Sequence, residues 1–348
     1  MNTDFLILEN DDILEKMLLP AAEIIKRGGL VVFPTETVYG LGADATNKEA
    51  AKKIYAAKGR PSDNPLIIHI AEPKQAEEYA YTSDLYYKLA QRFMPGPLTV
   101  VLPAKESVPK ETRGGLSTVA VRCPSNLIAN TLIKLSGVPI AAPSANISGT
   151  PSPTRINHVR DDMTGRVDLI IDGGDCDFGL ESTIVKTNED GTLTMLRPGK
   201  ITVADIEALG IECKVADAVL GTLKEGERPL SPGMKYKHYA PKSSLVLLDG
   251  EISKTIEYIK AENKNNIAII AFSEDCGLLS NSFLNADIYD FSSRNDKVSQ
   301  AHKLFSILRD TDKKDYEVIY APLPSSDGIG LALYNRMIRA AAYRIIKL

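Results

Sequence analysis

The chain has 348 residues, 44% hydrophobic and 25% charged, with 24 Gly and 20 Pro. This is ordinary globular usage, which excludes collagen-like repeats and long disorder, and at roughly 150 residues per domain the length predicts two domains. Lys and Arg total 41 against 45 Asp and Glu, a net charge of −4, which excludes a protein that coats nucleic acid by bulk charge but leaves room for a local basic site.

No apolar run approaches the roughly 20 residues that span a bilayer; the longest resemble Ile267 to Phe272. The acidic start MNTDFLILENDD lacks the basic region and cleavage site of a signal peptide, so a cytoplasmic location is expected. Cys123, Cys176, Cys213 and Cys276 lie far apart with no CxxC and read as buried thiols of a reducing compartment. His69, His158, His238 and His302 share no ligand-like spacing. No protein-built metal site is predicted, and any metal is expected to arrive with a phosphate ligand.

In chain order, Ile13, Leu14, Met17, Leu18, Ala21, Ile24 and Ile25 recur at helical spacing, and Gly28 and Gly29 stop that helix. Leu30 to Phe33 is a short buried strand ended by Pro34. Asn47 caps a helix running to about Ala57, with Gly59 as its stop and Pro61 beyond. Further strands are predicted over 66–70, 98–102, 118–123, 138–142, 169–172, 183–186 and 193–196, and helices near 84–93, 125–136 and 202–209. Many strands with fewer helices predict an α/β domain on a large, twisted, mixed sheet.

Residues 221–243, GTLKEGERPLSPGMKYKHYAPKS, lose this periodicity and read as a linker. It is unusually basic and aromatic at Lys235, Tyr236, Lys237, His238 and Tyr239. Beyond it, strands over 245–248, 267–272, 287–291 and 317–320 alternate with helices over 252–261, 296–309 and 329–346. This predicts a small parallel-sheet domain of Rossmann-like type. Its first strand leads into DGEISK, not a glycine fingerprint, so dinucleotide binding is not supported.

Five segments carry the chemistry. In PTETVYGLG (34–42) a buried strand runs into polar residues and two glycines. If extended, it points the Thr35 and Thr37 hydroxyls the same way; as a plain turn, it uses Gly40 and Gly42 for positive φ. Lys52, Lys53, Lys58 and Arg60 have no acid among them between Ala50 and Ser62, and Lys58-Gly59-Arg60-Pro61 sits at a helix end, where cations offset the dipole. Pro61 and Pro65 fix the loop that follows, and a held Lys/Arg pair also suits a polyphosphate. His69 shares a strand face with Ile67, as a hydrogen-bonded core residue or as a site group. Thr118, Ala120 and Arg122 share another face. An inward arginine is costly unless paired, either with a structural carboxylate or with a substrate carboxylate or phosphate.

The fifth segment is Ala141 to Gly149 with Thr150 to Thr154, small residues that let a ligand approach the backbone. Ser144, Asn146, Ser148 and Ser152 supply neutral donors there; a Ser/Pro-rich surface turn is the plainer reading. Asp172-Gly173-Gly174, Glu181-Ser182-Thr183 and Arg197-Pro198-Gly199 add polar strand ends. There is no nucleophile elbow, Walker A loop or HExxH. Together these residues predict a cavity lined by Thr, Lys, Arg, His, Ser and Asn with few acids, suited to ATP plus a small carboxylate.

The segments PTETVYGLG, KGRPSDNPL, PGPLT, STVAVRCP, APSANISG, ESTIV and LRPG, in this order, resemble the YrdC-like threonylcarbamoyl-AMP synthases. SPGMKYKHYAP followed by a Rossmann-like domain resembles the longer, two-domain branch. Met94 stands where a large aromatic is expected before Pro-Gly-Pro, a departure that bears on packing. The resemblance implies a YrdC-like catalytic domain over 1–220, a linker or lid over 221–243 and a small Rossmann-like domain over 244–348.

It also implies an enzyme, a nucleotidyltransferase that joins L-threonine, bicarbonate or CO2, and ATP into threonylcarbamoyl-AMP and pyrophosphate. The product is passed to a partner transferase complex that modifies adenosine in tRNA, so direct tRNA binding is not required. Thr37, His69, Arg122, Ala142 and Ser182 are expected to hold threonine, with Arg122 on its carboxylate. Lys58, Arg60, Asn64, Ser144, Asn146 and Ser152 are expected to hold phosphates, with Thr118 and Arg197 completing the nucleotide pocket and Tyr236 closing over it. Mg2+ is expected on the phosphates, with no protein ligands and no covalent nucleophile. The rival readings are an RNA-binding or ribosome-assembly module without activity, and a domain making carbamoyl-AMP for another acceptor.

Overall fold

The structure, a computed structural model, describes residues 2–8, 13–221 and 239–348. The proposed lid residue Tyr236, with Lys235, Lys237 and His238, lies outside the described residues.

Among the described residues of the first unit, eleven strands form one sheet. They are β1 (Asp4–Ile7), β2 (Val31–Phe33), β3 (Gly40–Asp44), β4 (Ile67–His69), β5 (Leu98–Pro103), β6 (Thr118–Arg122), β7 (Ile140–Ala141), β8 (Leu169–Asp172), β9 (Thr183–Thr187), β10 (Leu193–Arg197) and β11 (Cys213–Val215). Their order is β1-β8-β2-β3-β7-β4-β6-β5-β9-β10-β11. Parallel and antiparallel neighbours alternate through the centre: β4 and β6 run parallel, β5 and β6 antiparallel, β5 and β9 parallel. The expected α/β fold with a large mixed sheet is what forms.

Local chemistry explains the helices. Leu14–Lys26 presents Leu14, Leu18, Ala21, Ala22 and Ile25 to a core shared with Val31, Phe33, Leu132 and Ile171. Lys48–Lys58 starts where Asn47 Oδ1 accepts the Glu49 and Ala50 N–H groups at 3.0 and 3.2 Å. It ends at Gly59, whose φ of +60° is the left-handed turn that favours glycine. Asn126 and Gly137 do the same for Leu127–Ser136. Met94 is buried within reach of the Tyr86 hydroxyl.

The second unit comprises 239–348 with the short segments 149–151 and 178–180, which the sequence reading had counted in its catalytic domain. Its strands are β12 (Leu245–Asp249), β13 (Ile267–Ala271), β14 (Asp287–Asp290), β15 (Val318–Pro322) and β16 (Ile345–Lys347). All run parallel in the order β14-β13-β15-β12-β16. Within this unit Arg309 donates twice to the Pro151 carbonyl, at 3.1 and 2.6 Å.

Two expectations are corrected. Gly40 and Gly42 sit in β3 and neither has positive φ. Gly42 is needed for close approach instead: a Cβ there would lie 2.5 Å from Phe33 Cε1 and 2.7 Å from Ile140 Cγ2. The predicted helix 329–346 stops at Ala340, because Ala342 and Tyr343 take φ of +49° and +63° and turn the chain into β16. Elements at Asp4–Ile7, Ile156–Met163 and Ser273–Ser282 were not anticipated. Gly42→Ala is expected to destabilise the protein by about 1–3 kcal/mol through overpacking, read as a lowered midpoint in denaturant unfolding.

Candidate active site

The site grows from strand register. His69 on β4 is level with Arg122 on β6, and Arg122 is level with Thr99 on β5. Ile140 on β7 faces His69, and Ile184 on β9 faces Thr99. One row across five central strands therefore carries an imidazole, a guanidinium and a hydroxyl. Ser182, just before β9, joins this row: its Oγ lies 2.8 Å from Thr99 Oγ1. Arg197, at the end of β10, donates to Ser182 O and Ser182 Oγ, both at 3.0 Å.

The segment between β2 and β3 closes over the row. Thr35 Oγ1 accepts the Thr37 and Val38 N–H groups at 3.1 and 3.2 Å and sits 2.8 Å from Thr37 Oγ1. The two hydroxyls thus do lie on one side. Arg122 Nη2 donates to Thr37 Oγ1 at 3.0 Å and lies 2.8 Å from Glu36 Oε1. Arg122 and Glu36 side chains are only 5% and 9% exposed. Burial opposes the charge on Glu36, but Arg122 outweighs it and holds the carboxyl below its ordinary range.

His69 is enclosed, with Nδ1 3.3 Å from the Ile140 carbonyl. A carbonyl only accepts, so Nδ1 carries the proton and Nε2 keeps a lone pair. Burial first, then the Arg122 charge, pushes the imidazole from 6.5 to about 3. It is neutral at pH 7. Burial also raises the thiols of Cys123 and Cys176, so neither supplies a thiolate nucleophile.

A second cluster lies at the end of the helix Lys48–Lys58. Lys58 is buried and donates to the Ser144 and Asn146 carbonyls, both at 2.5 Å. Ser144 Oγ donates to Asn146 Oδ1 at 2.5 Å, and the Ser148 N–H bonds the Lys58 carbonyl at 2.9 Å. Arg60 folds onto the next loop, donating to Asn64 O and Pro65 O at 3.3 and 3.0 Å. The Asn64 side chain is buried.

Backbone bonds join the clusters. Leu41 N–H bonds Pro143 O, Ala145 N–H bonds Tyr39 O and Tyr39 N–H bonds Pro153 O, at 2.8–2.9 Å. Ala142 N–H bonds Ile67 O at 2.9 Å, two residues from His69.

The structure therefore brings Thr37, His69, Arg122, Ser182 and Arg197 into one group, and Lys58, Ser144 and Asn146 into another. Ser152 is buried and donates to Glu181 Oε1 at 2.7 Å. Thr118 stands apart, at the far end of β6, about 13 Å from Arg122 at strand rise. Sequence reasoning missed Glu36, Glu181 and Thr99. Two glutamates, Glu36 and Glu181, stand among these residues. Glu36 sat inside a quoted motif, and the signal was the unpaired inward arginine that required a carboxylate.

An α/β sheet whose central strands hold buried arginines, a neutral histidine and clustered hydroxyls defines an anion-binding protein of the mixed-sheet type. Family comparison is specific: the family described as "Telomere recombination" (Sua5, YciO, YrdC) matches residues 23–199, and the threonylcarbamoyl-AMP synthase C-terminal domain matches 201–342. The chain belongs to the Sua5/YciO/YrdC family, in its two-domain form. It is 45% identical to threonylcarbamoyl-AMP synthase of Pyrococcus abyssi, covering 94% of each chain. It is 40% identical to that of Bacillus subtilis, covering 96% of this chain and 95% of the relative. The crystal structure of Pyrococcus abyssi Sua5 complexed with L-threonine matches with a TM-score of 0.88, at 40% identity over the full length of both chains.

His69 also sets a pH dependence. Its folded pKa lies below the unfolded value, so below pH 6.5 the unfolded chain binds the extra proton. Stability from this group is complete above pH 6.5 and is lost as pH falls toward about 3, at no more than about 1.4 kcal/mol per pH unit. Denaturant unfolding from pH 7 to 5 is expected to be less steep in pH for His69→Gln than for the parent.

Proposed function

We infer that this chain is an L-threonylcarbamoyladenylate synthase, a nucleotidyltransferase that makes threonylcarbamoyl-AMP and pyrophosphate from L-threonine, bicarbonate or CO2, and ATP. The observation that carries this reading is the pairing, in one sheet of a family member, of the Arg122–His69–Thr37–Ser182 group with the Lys58–Ser144–Asn146 group. The first suits a small hydroxylated carboxylate. The second offers a cation and amide and hydroxyl donors for phosphate.

In this reading Arg122 takes the α-carboxylate of threonine. Thr37, Ser182 and the His69 lone pair take its polar hydrogens, and Ala142 lines the pocket. Lys58, Arg60, Asn64, Ser144, Asn146 and Ser152 face the phosphates of ATP, with Thr118 and Arg197 completing the nucleotide side. The threonine ammonium gives up one proton to solvent, the freed lone pair forms a bond to the carbon of CO2, and the nitrogen loses a second proton to solvent, giving a carbamate. A carbamate oxygen then attacks the α-phosphorus as the bond to the β-phosphate oxygen breaks, and pyrophosphate leaves. The protein's part is to align two substrates and neutralise charge.

Mg2+ enters as the counter-ion of ATP. The donors at the second cluster, Lys58, Ser144 and Asn146, suit phosphate oxygens and not a hard cation, which would take its oxygens from the phosphates. The product is consumed by a transferase that modifies adenosine in tRNA, and the cytoplasm, where tRNA and ATP meet, is the proposed location. A net charge of −4 does not favour an RNA-coating module.

The test is pyrophosphate release with each substrate omitted in turn. Release that needs both L-threonine and bicarbonate is expected, and equal release without an amino acid overturns the reading. Arg122→Lys is expected to lower apparent threonine affinity by about tenfold or more, since an ammonium cannot replace a planar fork. A threonine saturation curve that does not move would assign Arg122 a structural role.

A further inference from the structure

The helix Lys297–Thr311 of the second unit holds the two short segments 149–151 and 178–180 of the same unit. Arg309, in its last turn, donates from Nε and Nη2 to the one Pro151 carbonyl, at 3.1 and 2.6 Å. A guanidinium that gives two charge-assisted bonds to a single oxygen fixes that oxygen in direction as well as in distance. At the other end of the first segment the Ala240 N–H bonds the Gly149 carbonyl at 3.1 Å. The second segment is seated through Gly179, whose φ is +88° and where a Cβ would lie 2.7 Å from His302 Cα and 2.8 Å from the Ala301 carbonyl oxygen. A glycine lets the segment lie that close to the helix backbone.

Chain continuity carries both holds into the site residues. The Pro151 carbonyl lies in the same rigid peptide plane as the Ser152 nitrogen and Cα, and the prolines at 151 and 153 lock φ on either side of Ser152. Holding the Pro151 oxygen therefore fixes where Ser152 begins. Ser152 is 1% exposed, and its Oγ donates to Glu181 Oε1 at 2.7 Å. Glu181 is the first residue after 178–180. The two held segments thus run into the two ends of one buried hydrogen bond. Ser182, next in the chain, has its Oγ 2.8 Å from Thr99 Oγ1.

We propose that Arg309 is a positioning residue for the nucleotide: by clamping the Pro151 carbonyl it sets the direction of the Ser152 hydroxyl and, through it, the fit to the phosphates of ATP. Arg309 acts through Ser152 and does not itself contact substrate. This rests on the reading of Ser152 as a phosphate-binding residue and deepens it. Without the clamp the peptide plane between Pro151 and Ser152 turns about ψ of Pro151, and Ser152 spends part of its time away from the direction the phosphates require. The loss falls on nucleotide affinity, and threonine, held by Arg122, Thr37 and His69, is spared. A residue that only stabilised the fold would do the reverse, lowering the unfolding midpoint and leaving the affinity of the folded protein for both ligands unchanged.

The test is calorimetric titration of the full-length protein with α,β-methylene-ATP, which keeps the triphosphate but is not cleaved at the reacting bond, and separately with L-threonine. The proteins are the parent, Arg309→Met, Ser152→Ala and the double variant. Arg309→Met keeps a long apolar stem and removes both donors. It is expected to weaken the nucleotide by about fivefold to tenfold, the size of one misplaced hydrogen bond, and to leave threonine within about twofold. Ser152→Ala is expected to lose a similar factor. The double variant is expected to stay within about twofold of the larger single loss, because both changes remove the same effect. Losses that multiply in the double variant overturn the proposal, since Arg309 then acts by a route other than Ser152. Unchanged nucleotide affinity in Arg309→Met overturns it, as does an equal loss for both ligands. Thermal unfolding gives the folded fraction of each variant. If Arg309→Met does not fold, Arg309→Lys, which keeps the charge but not the fork, takes its place with the same ligands and the same outcomes. Parent protein that binds no nucleotide, or binds it as well after Ser152→Ala, overturns the phosphate reading and this one together, whereas a response to Ser152→Ala with none to Arg309→Met overturns this one alone.

Discussion

The buried pair of Glu36 and Arg122 constrains everything around it. A guanidinium with 5% of its side chain exposed is tolerable only beside an opposite charge, because an uncompensated buried charge costs several kcal/mol. Arg122 cannot retreat: β6 is paired on both sides, to β4 and β5. The segment between β2 and β3 must therefore bring a carboxylate to it. The turn built on the Thr35 hydroxyl does so, setting Glu36 and Thr37 against the same nitrogen. The result is a buried polar site, in which an incoming charge meets side chains that are already held in place.

The same logic governs Lys58. Its position in the last turn of a helix satisfies the dipole, and its ammonium braces two carbonyls of the loop carrying Ser144 and Asn146. The helix-end reading and the site reading are therefore two parts of one arrangement. Gly59 lets the chain reverse immediately after the lysine, so the helix end, the loop and Arg60 stay together. Gly199 plays a related part on the other side, where a Cβ would lie 2.5 Å from the Thr183 N atom, beside Ser182.

Much of the fold was legible because its signals are local. The spacing of Leu14, Leu18, Ala21 and Ile25 yields a helix with those residues inward. Asn47 and Gly59 bound the next helix as capping chemistry requires. Burial of consecutive apolar residues marked β2, β4, β5 and β6. The failures were also physical. Gly40 to Asp44 has no β-branched residue and became a strand because β2 and β7 pair with it. The run 341–347 kept its apolar character yet left the helix, because pairing with β12 draws Ile345 to Lys347 into the sheet.

The site divides in the same way. Residue type and order by themselves determined that Lys58, His69, Arg122 and the Ser144–Asn146 loop are chemical candidates, because a charge on an apolar strand or a frozen polar loop is a local anomaly. Tertiary structure alone decided which of them meet. Arg122 finds Thr37 across 85 residues and Lys58 finds Asn146 across 88, and Glu36 was invisible as a site residue until β6 lay beneath it. Strand register is a long-range property: hydrogen bonds between neighbouring strands set it, and a shift of one residue would turn Arg122 to the opposite face of the sheet.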